Sequence, residues 1–83
     1  MDNEIIVYTS SGCAYCEKVL QILRDSKVDF QERNISTNEA YFKEWKKKEV
    51  PGTPATFYKD DVVLGVEKLK LLDIVNKYQQ INS

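Results

Sequence analysis

The chain has 83 residues, with 12 basic and 13 acidic side chains, two cysteines and no histidine. Its length suits one domain, and 42% hydrophobic residues suffice for a packed core without a metal or disulfide. A net charge of −1 argues against nucleic-acid binding by bulk electrostatics and against binding to anionic membranes through a basic surface. Without histidine, any chemistry must use thiols, carboxylates, amines, hydroxyls or backbone groups.

The N-terminal residues 1–4 lack the basic start of a secretory signal, and no apolar stretch is long enough to span a membrane. We therefore expect a cytoplasmic protein with one domain over residues 1–83 and with neither membrane nor nucleic-acid partners. Structural disulfides are rare in the cytoplasm, so the two cysteines need an explanation other than crosslinking.

Hydrophobic periodicity predicts seven elements along the chain. In order, they are a strand over 5–8, a helix over 13–27, a strand over 28–35, a helix over 39–48, a strand over 55–58, a strand over 62–64 and a helix over 67–78. A turn at Asp60-Asp61 joins the last two strands into an antiparallel hairpin. The order βαβαββα predicts an α/β fold, with a mixed four-stranded sheet and helices on both faces.

The second predicted helix carries aromatic residues on one side and lysines on the other. The helical spacing of Tyr41, Phe42 and Trp45 favours packing toward the core over a ligand pocket. Lys43 and the run 46–48 are expected to form a solvated face, with favourable charge at the C-terminal end of the helix.

Cys13 and Cys16 are separated by two residues where the first strand meets the first helix. A helix N-terminus offers unpaired N–H groups and partial positive charge, which stabilise a thiolate. Cys13 is therefore predicted to be the nucleophile. Cys16, one turn further along the same face, is predicted to be the more buried, resolving thiol. Lys18 is close enough in sequence to add positive potential.

Three other interpretations of the cysteine pair are a structural disulfide, a zinc site and two core thiols. A disulfide closing so short a loop adds little stability, and zinc needs two further ligands, for which the chain offers neither another cysteine nor a histidine. A Cys-x-x-Cys at a strand-to-helix turn within βαβ favours redox chemistry, so no metal ligands are assigned.

These features resemble the glutaredoxin branch of the thioredoxin superfamily. The residues that carry the resemblance are Val7-Tyr8, Gly12-Cys13-Ala14-Tyr15-Cys16, Lys18, Phe30, Asn34-Ile35 and Thr53-Pro54. The resemblance implies a thioredoxin-like fold and a dithiol–disulfide oxidoreductase that reduces protein or small-molecule disulfides. Ala14 departs from the Cys-Pro-Tyr-Cys that glutaredoxins typically carry.

The resemblance also implies a substrate groove beside the cysteines. In it, Pro54 is the cis-proline that opposes them, with Pro51 as the rival candidate. The Thr53 backbone would then pair with an extended peptide or with glutathione, and Tyr15 would flank the groove. The alternative for Tyr15 is an exposed aromatic at a helix start.

Two positions depart from the glutathione-binding pattern of the family. Ser10 stands where a Lys or Arg is usual, three residues before the first cysteine. Residues 65–68 replace Gly-Gly-x-Asp: Gly65 fits, Lys68 stands in place of the acid, and Glu67 is expected to substitute for it in part. The resemblance therefore implies no bound cofactor and leaves the reductant as glutathione, another low-molecular-weight thiol or a reductase.

Two further functions stay open at this point. Gly52-Thr53-Pro54 is similar to the segment of thioredoxin-like proteins that act on protein disulfides, which suggests a redoxin that serves ribonucleotide reductase and is recharged by thioredoxin reductase. A different class is a dimer that carries an iron–sulfur cluster with help from glutathione. We expect a monomeric exchange enzyme.

Overall fold

The computed structural model describes residues 4–82 and has the predicted order βαβαββα. The elements are β1 (Ile5–Thr9), α1 (Ala14–Asp25), β2 (Phe30–Asn34), α2 (Glu39–Lys47), β3 (Ala55–Tyr58), β4 (Asp61–Leu64) and α3 (Lys68–Asn82). The largest difference from the predicted boundaries is that α3 continues past residue 78; α1 ends and β2 begins two residues from where they were predicted to. No helix in this described part of the chain is long and apolar enough to cross a membrane.

The four strands form one mixed sheet, as predicted, and their order is β2-β1-β3-β4. β1 and β2 run parallel and are joined by the crossover helix α1, whereas β3 is antiparallel to both β1 and β4. Lys59, in the tight turn between β3 and β4, has a φ of +53°.

Helices cover both faces of the sheet. On one face, α1 and α3 pack on β1 and its neighbours, and their apolar side chains form the core. The buried members of this core are Ile5, Val7, Val19, Leu20, Leu23, Val28, Tyr58, Val63, Leu71, Ile74 and Val75. On the other face, the hydroxyl of Tyr8 donates to Glu44 of α2, 3.1 Å away. The alternation of side chains along β1 explains why Val7 and Tyr8 serve opposite faces.

The prediction that α2 turns its aromatic residues into the core is wrong, because no residue of α2 is buried. Phe42 is 39% exposed, and its ring lies 5.7 Å from that of Trp45. The physical reason is that α2 packs beside the polar strand β2 and is held by ionic and hydrogen-bonding contacts. Arg33 of β2 forms an ion pair with Glu44 and lies over the ring of Tyr41.

Strand directions bring four segments of the chain to one edge of the sheet. The end of β1 pairs with the end of β2 at Thr9 and Asn34, and Tyr8 pairs with Ala55 at the start of β3. Ala55 in turn pairs with Leu64 at the end of β4. The segments that adjoin these strand ends therefore meet around Cys13.

Candidate active site

Cys13 is the N-cap residue of α1. A left-handed φ of +74° at Gly12 turns the chain from the loop after β1 into the helix, a conformation that favours glycine. Cys13 itself has an extended backbone, and its sulfur accepts a hydrogen bond from the Cys16 backbone N–H at 3.2 Å. The thiol thus occupies the position where a helix N-terminus stabilises negative charge.

The two thiols differ in exposure and in acidity. Both are free; Cys13 is half-buried and Cys16 is only 2% exposed. Burial opposes ionisation of Cys13, but hydrogen bonds from the Cys16 thiol and backbone N–H, and from the Thr53 and Ser10 hydroxyls, lower its pKa below the ordinary value. Burial raises the pKa of Cys16, and its hydrogen bond to Cys13 raises it further. Cys13 therefore ionises before Cys16.

The loop before β3 faces Cys13 through Thr53. The hydroxyls of Thr53 and Ser10 lie 2.7 Å apart, which joins the two loops on either side of the sulfur. The Thr53–Pro54 peptide bond is cis, Pro54 is buried, and its carbonyl accepts a hydrogen bond from the Gly65 N–H at 2.9 Å. Thr53, Pro54 and Gly65 together line a groove of about 190 Å³.

Trp45 supports this loop from α2. Its indole N–H donates to the carbonyl of Gly52 at 3.1 Å, one residue before Thr53. The side chain is half-buried, so it neither fills the core nor stands free in solvent. The sequence showed the aromatic residue but gave no signal of this long-range contact.

Tyr15 and Lys18 lie together on the exposed start of α1. The ring of Tyr15 is 63% exposed, and the ammonium of Lys18 lies 5.5 Å from its centroid. Lys18 is not among the groups that lower the pKa of Cys13, which are a thiol, a backbone N–H and hydroxyls. The contact of Lys18 with Tyr15 thus forms an amphipathic cation–π pair beside the cysteines.

Glu67 lies apart from the groove at Pro54. Its carbonyl accepts the first-turn hydrogen bond from Leu71, and its carboxylate pairs with Lys70 at 3.4 Å. It lines a different surface depression, together with Lys68 and Leu69. Of the expected groove residues on this side, the structure brings Gly65 to the groove but not Glu67.

A second groove beside the cysteines contains a residue that the sequence analysis missed. Its walls include Cys13, Cys16 and the side chain of Glu32. The sequence pattern that could have indicated Glu32 is the alternation of side chains along β2. It places Glu32 on the same face as Phe30, a residue packed against the core. Within residues 4–82, no group of three or more cysteine and carboxylate side chains is arranged to hold a metal ion.

Comparison with known proteins agrees with this geometry. The family model for glutaredoxin matches residues 5–63, so the chain belongs to the glutaredoxin family. It is similar to the crystal structure of a glutaredoxin from Archaeoglobus fulgidus, with 27% sequence identity and a TM-score of 0.76 over 87% of this chain and 85% of that one. The thioredoxin-like fold is thereby confirmed. No curated protein matches the sequence. Family and fold together support a thiol–disulfide oxidoreductase.

Proposed function

We propose that the protein is a dithiol–disulfide oxidoreductase that reduces protein or small-molecule disulfides through Cys13 and Cys16. The observation that carries the proposal is the asymmetry of the two thiols. Cys13 is accessible and has a lowered pKa, whereas Cys16 is buried and has a raised pKa. A nucleophile must be ionised and reachable, while a resolving thiol has to stay protonated until the first step is complete.

In the proposed reaction, the Cys13 thiolate attacks one sulfur of the target disulfide. A Cys13–target disulfide forms, the target S–S bond breaks, and the first target thiolate leaves and takes a proton from water. Cys16 then loses its proton and attacks the Cys13 sulfur, which releases the second target thiol and leaves a Cys13–Cys16 disulfide. Two electrons pass from the cysteine pair to the target, and an external thiol or reductase returns them.

The groove at Thr53 and Pro54 is the proposed substrate path. Neither the N–H nor the C=O of Thr53 hydrogen-bonds to another residue between 4 and 82, so both are available to an extended substrate backbone. Tyr15 would cover one side of that backbone through its exposed ring. Backbone pairing recognises extended peptides with little dependence on their sequence, which suits a protein that serves several disulfide substrates.

The charges at the family's glutathione positions support a proposal for the electron donor. Ser10 supplies no cation, Lys68 stands where an acid is usual, and Glu67 already pairs with Lys70. We therefore propose a reductase, or a thiol other than glutathione, as the main donor in a cytoplasmic setting, as in redoxins that supply ribonucleotide reductase. The same missing contacts make a glutathione-dependent cluster carrier the weaker candidate.

Turnover of a disulfide substrate with wild-type protein, Cys13→Ser and Cys16→Ser tests the proposal. Cys13→Ser is expected to be inactive, whereas Cys16→Ser should accumulate a mixed disulfide on Cys13 that is detectable as added mass. Full activity of Cys13→Ser, or a mixed disulfide on Cys16 in the wild type, would contradict it. Parallel assays with glutathione and with thioredoxin reductase as donors separate the two sources of electrons; faster turnover with glutathione would overturn the donor assignment.

A further inference from the structure

The second groove gives access to the buried resolving thiol. It has a volume of about 320 Å³ and is lined by Cys13 and Cys16 and by two carboxylates, those of Glu17 and Glu32. The groove at Pro54 shares no lining residue with this one, so the two grooves are separate. A group in this groove can act on Cys16 while the substrate occupies the other one.

Glu32 is fixed in this groove by a buried hydroxyl. It pairs with Val7 in the parallel register of β1 and β2, so its side chain extends from the face that α1 covers. The hydroxyl of Thr9 donates to a Glu32 carboxylate oxygen at 2.9 Å, and Thr9 is only 1% exposed. This hydrogen bond holds the carboxylate of the otherwise exposed Glu32 at the groove wall.

Cys16 needs a proton acceptor at the second step. Burial raises the pKa of its thiol, so little thiolate forms without help near neutral pH. The titratable groups that face it along the groove are Cys13 and Glu17 from the start of α1 and Glu32 from β2. The end of β1 and the loop before β3 contribute hydroxyls only. Cys13 is already bonded to the target at this stage, which leaves the two carboxylates.

We propose that the Glu32 carboxylate accepts the proton of Cys16 during resolution of the mixed disulfide, through a water molecule in the groove that both residues line. The proton moves from the Cys16 sulfur to Glu32, the new Cys16 thiolate bonds to the Cys13 sulfur, and the bond from Cys13 to the target breaks. Glu32 passes this proton to the departing target thiolate or to water, so the carboxylate is restored at the end of the step. When a donor later opens the Cys13–Cys16 disulfide, the Cys16 thiolate takes its proton from water. This role rests on the proposed function.

A rapid-mixing experiment separates this step from the first one. The reduced protein is mixed with a symmetrical aromatic disulfide whose thiolate products absorb visible light, so that Cys13 attack and Cys16 resolution each release one coloured thiolate. Glu32→Gln keeps an oxygen for the Thr9 hydrogen bond but removes the base. We expect its second phase to be slower by about tenfold to hundredfold near neutral pH, with an unchanged first phase.

The pH profile distinguishes proton transfer from a structural role. The deficit of Glu32→Gln should shrink as the pH rises well above neutral, because hydroxide then removes the Cys16 proton without help from a carboxylate. Glu17→Gln removes the other carboxylate of the groove and is expected to leave the second phase within about twofold of the wild type. Glu32→Asp keeps a carboxylate and should resolve faster than Glu32→Gln.

Three results would overturn the assignment of Glu32: an unchanged second phase in Glu32→Gln, an equal slowing in Glu17→Gln, or a deficit that does not depend on pH. Equal rates for Glu32→Asp and Glu32→Gln would also count against it. A different outcome would contradict the proposed function, namely the absence of a first phase in the wild-type protein.

Discussion

The hydroxyls of Ser10 and Thr53 lie 2.7 Å apart, and both interact with the sulfur of Cys13. One comes from the loop after β1 and the other from the loop before β3, which the antiparallel pairing of these strands brings together. These two hydroxyls thus act as hydrogen-bond donors that help to stabilise the Cys13 thiolate. Glutathione-using glutaredoxins usually have a cation at the position of Ser10. A hydroxyl and a cation at this position predict different effects of substitutions on the thiolate and on glutathione binding.

Ser10→Ala is expected to raise the pKa of Cys13, because one of the hydrogen bonds that favour the thiolate is lost. A hydrogen bond to a charged group contributes about 1.5–3 kcal/mol, and water recovers part of it at a half-buried sulfur. Alkylation of Cys13 near neutral pH should therefore slow by about three- to tenfold. Ser11→Ala, one residue along the same loop, is the matched control; an equal loss there would contradict the assignment.

Ser10→Lys is expected to restore a charge contact for glutathione. A cation at this position should also stabilise the Cys13 thiolate by Coulomb attraction, and that contribution weakens as salt increases. We expect the KM for glutathione to fall by about three- to tenfold at low ionic strength and the gain to diminish in high salt. Steady-state assays at two salt concentrations measure this, and an unchanged KM at both would argue against Ser10 as the position that limits glutathione use.

Trp45→Phe removes the hydrogen bond to Gly52 and keeps an aromatic ring beside Phe42. Loss of one such bond should lower the free energy of unfolding by about 0.5–1.5 kcal/mol. Because Gly52 precedes Thr53, the looser loop is expected to raise the KM for disulfide substrates more than it lowers kcat. Phe42→Leu leaves the Gly52 contact in place and serves as the comparison. If both variants had the same KM, Trp45 would have no part in positioning the loop.

Leu71→Ala and Leu69→Ala compare two faces of α3. Leu71 is fully buried in the core, whereas Leu69 is 84% exposed. Truncation of the buried side chain removes transfer energy and leaves a cavity, so we expect a loss of about 2–5 kcal/mol in the free energy of unfolding. Truncation of the exposed one should change it by less than about 0.5 kcal/mol. Denaturant titration measures both, and a large effect of Leu69→Ala would indicate that its surface is covered in solution.

The order of elements could be predicted because each has a local signature. The apolar run of β1 and the helical spacing of α1 are periodic. The turn predicted at Asp60-Asp61 lies at 59–60 and separates two short strands. The exposure of α2 could not be predicted from such a local signature. Its aromatic spacing is that of a core helix, but the neighbouring strand offers Arg33 and other polar groups instead of an apolar surface.

The cysteine pair could likewise be predicted, since spacing and position on a strand-to-helix turn are both visible in the sequence. The contacts around it depend on residues distant in sequence. Ser10 and Thr53 meet only because β1 and β3 pair, and Glu32 reaches Thr9 only through the register of β1 and β2. Glu67 adjoins Gly65 closely enough to suggest a shared groove, yet its carboxylate turns to Lys70.

Competitive alkylation of the reduced protein tests the central claim most directly, namely that Cys13 is the ionised nucleophile and Cys16 the protonated resolving thiol. The pKa of Cys13 is lowered, so its thiolate persists below the pH at which an ordinary cysteine is half-ionised and is lost only as the pH falls through that lowered value. With limiting iodoacetamide at about pH 6.5, mass spectrometry of the digested protein should find the label on Cys13, with Cys16 modified only as the pH rises well above neutral. Label on Cys16 first, or equal labelling of both thiols at this pH, would contradict the account.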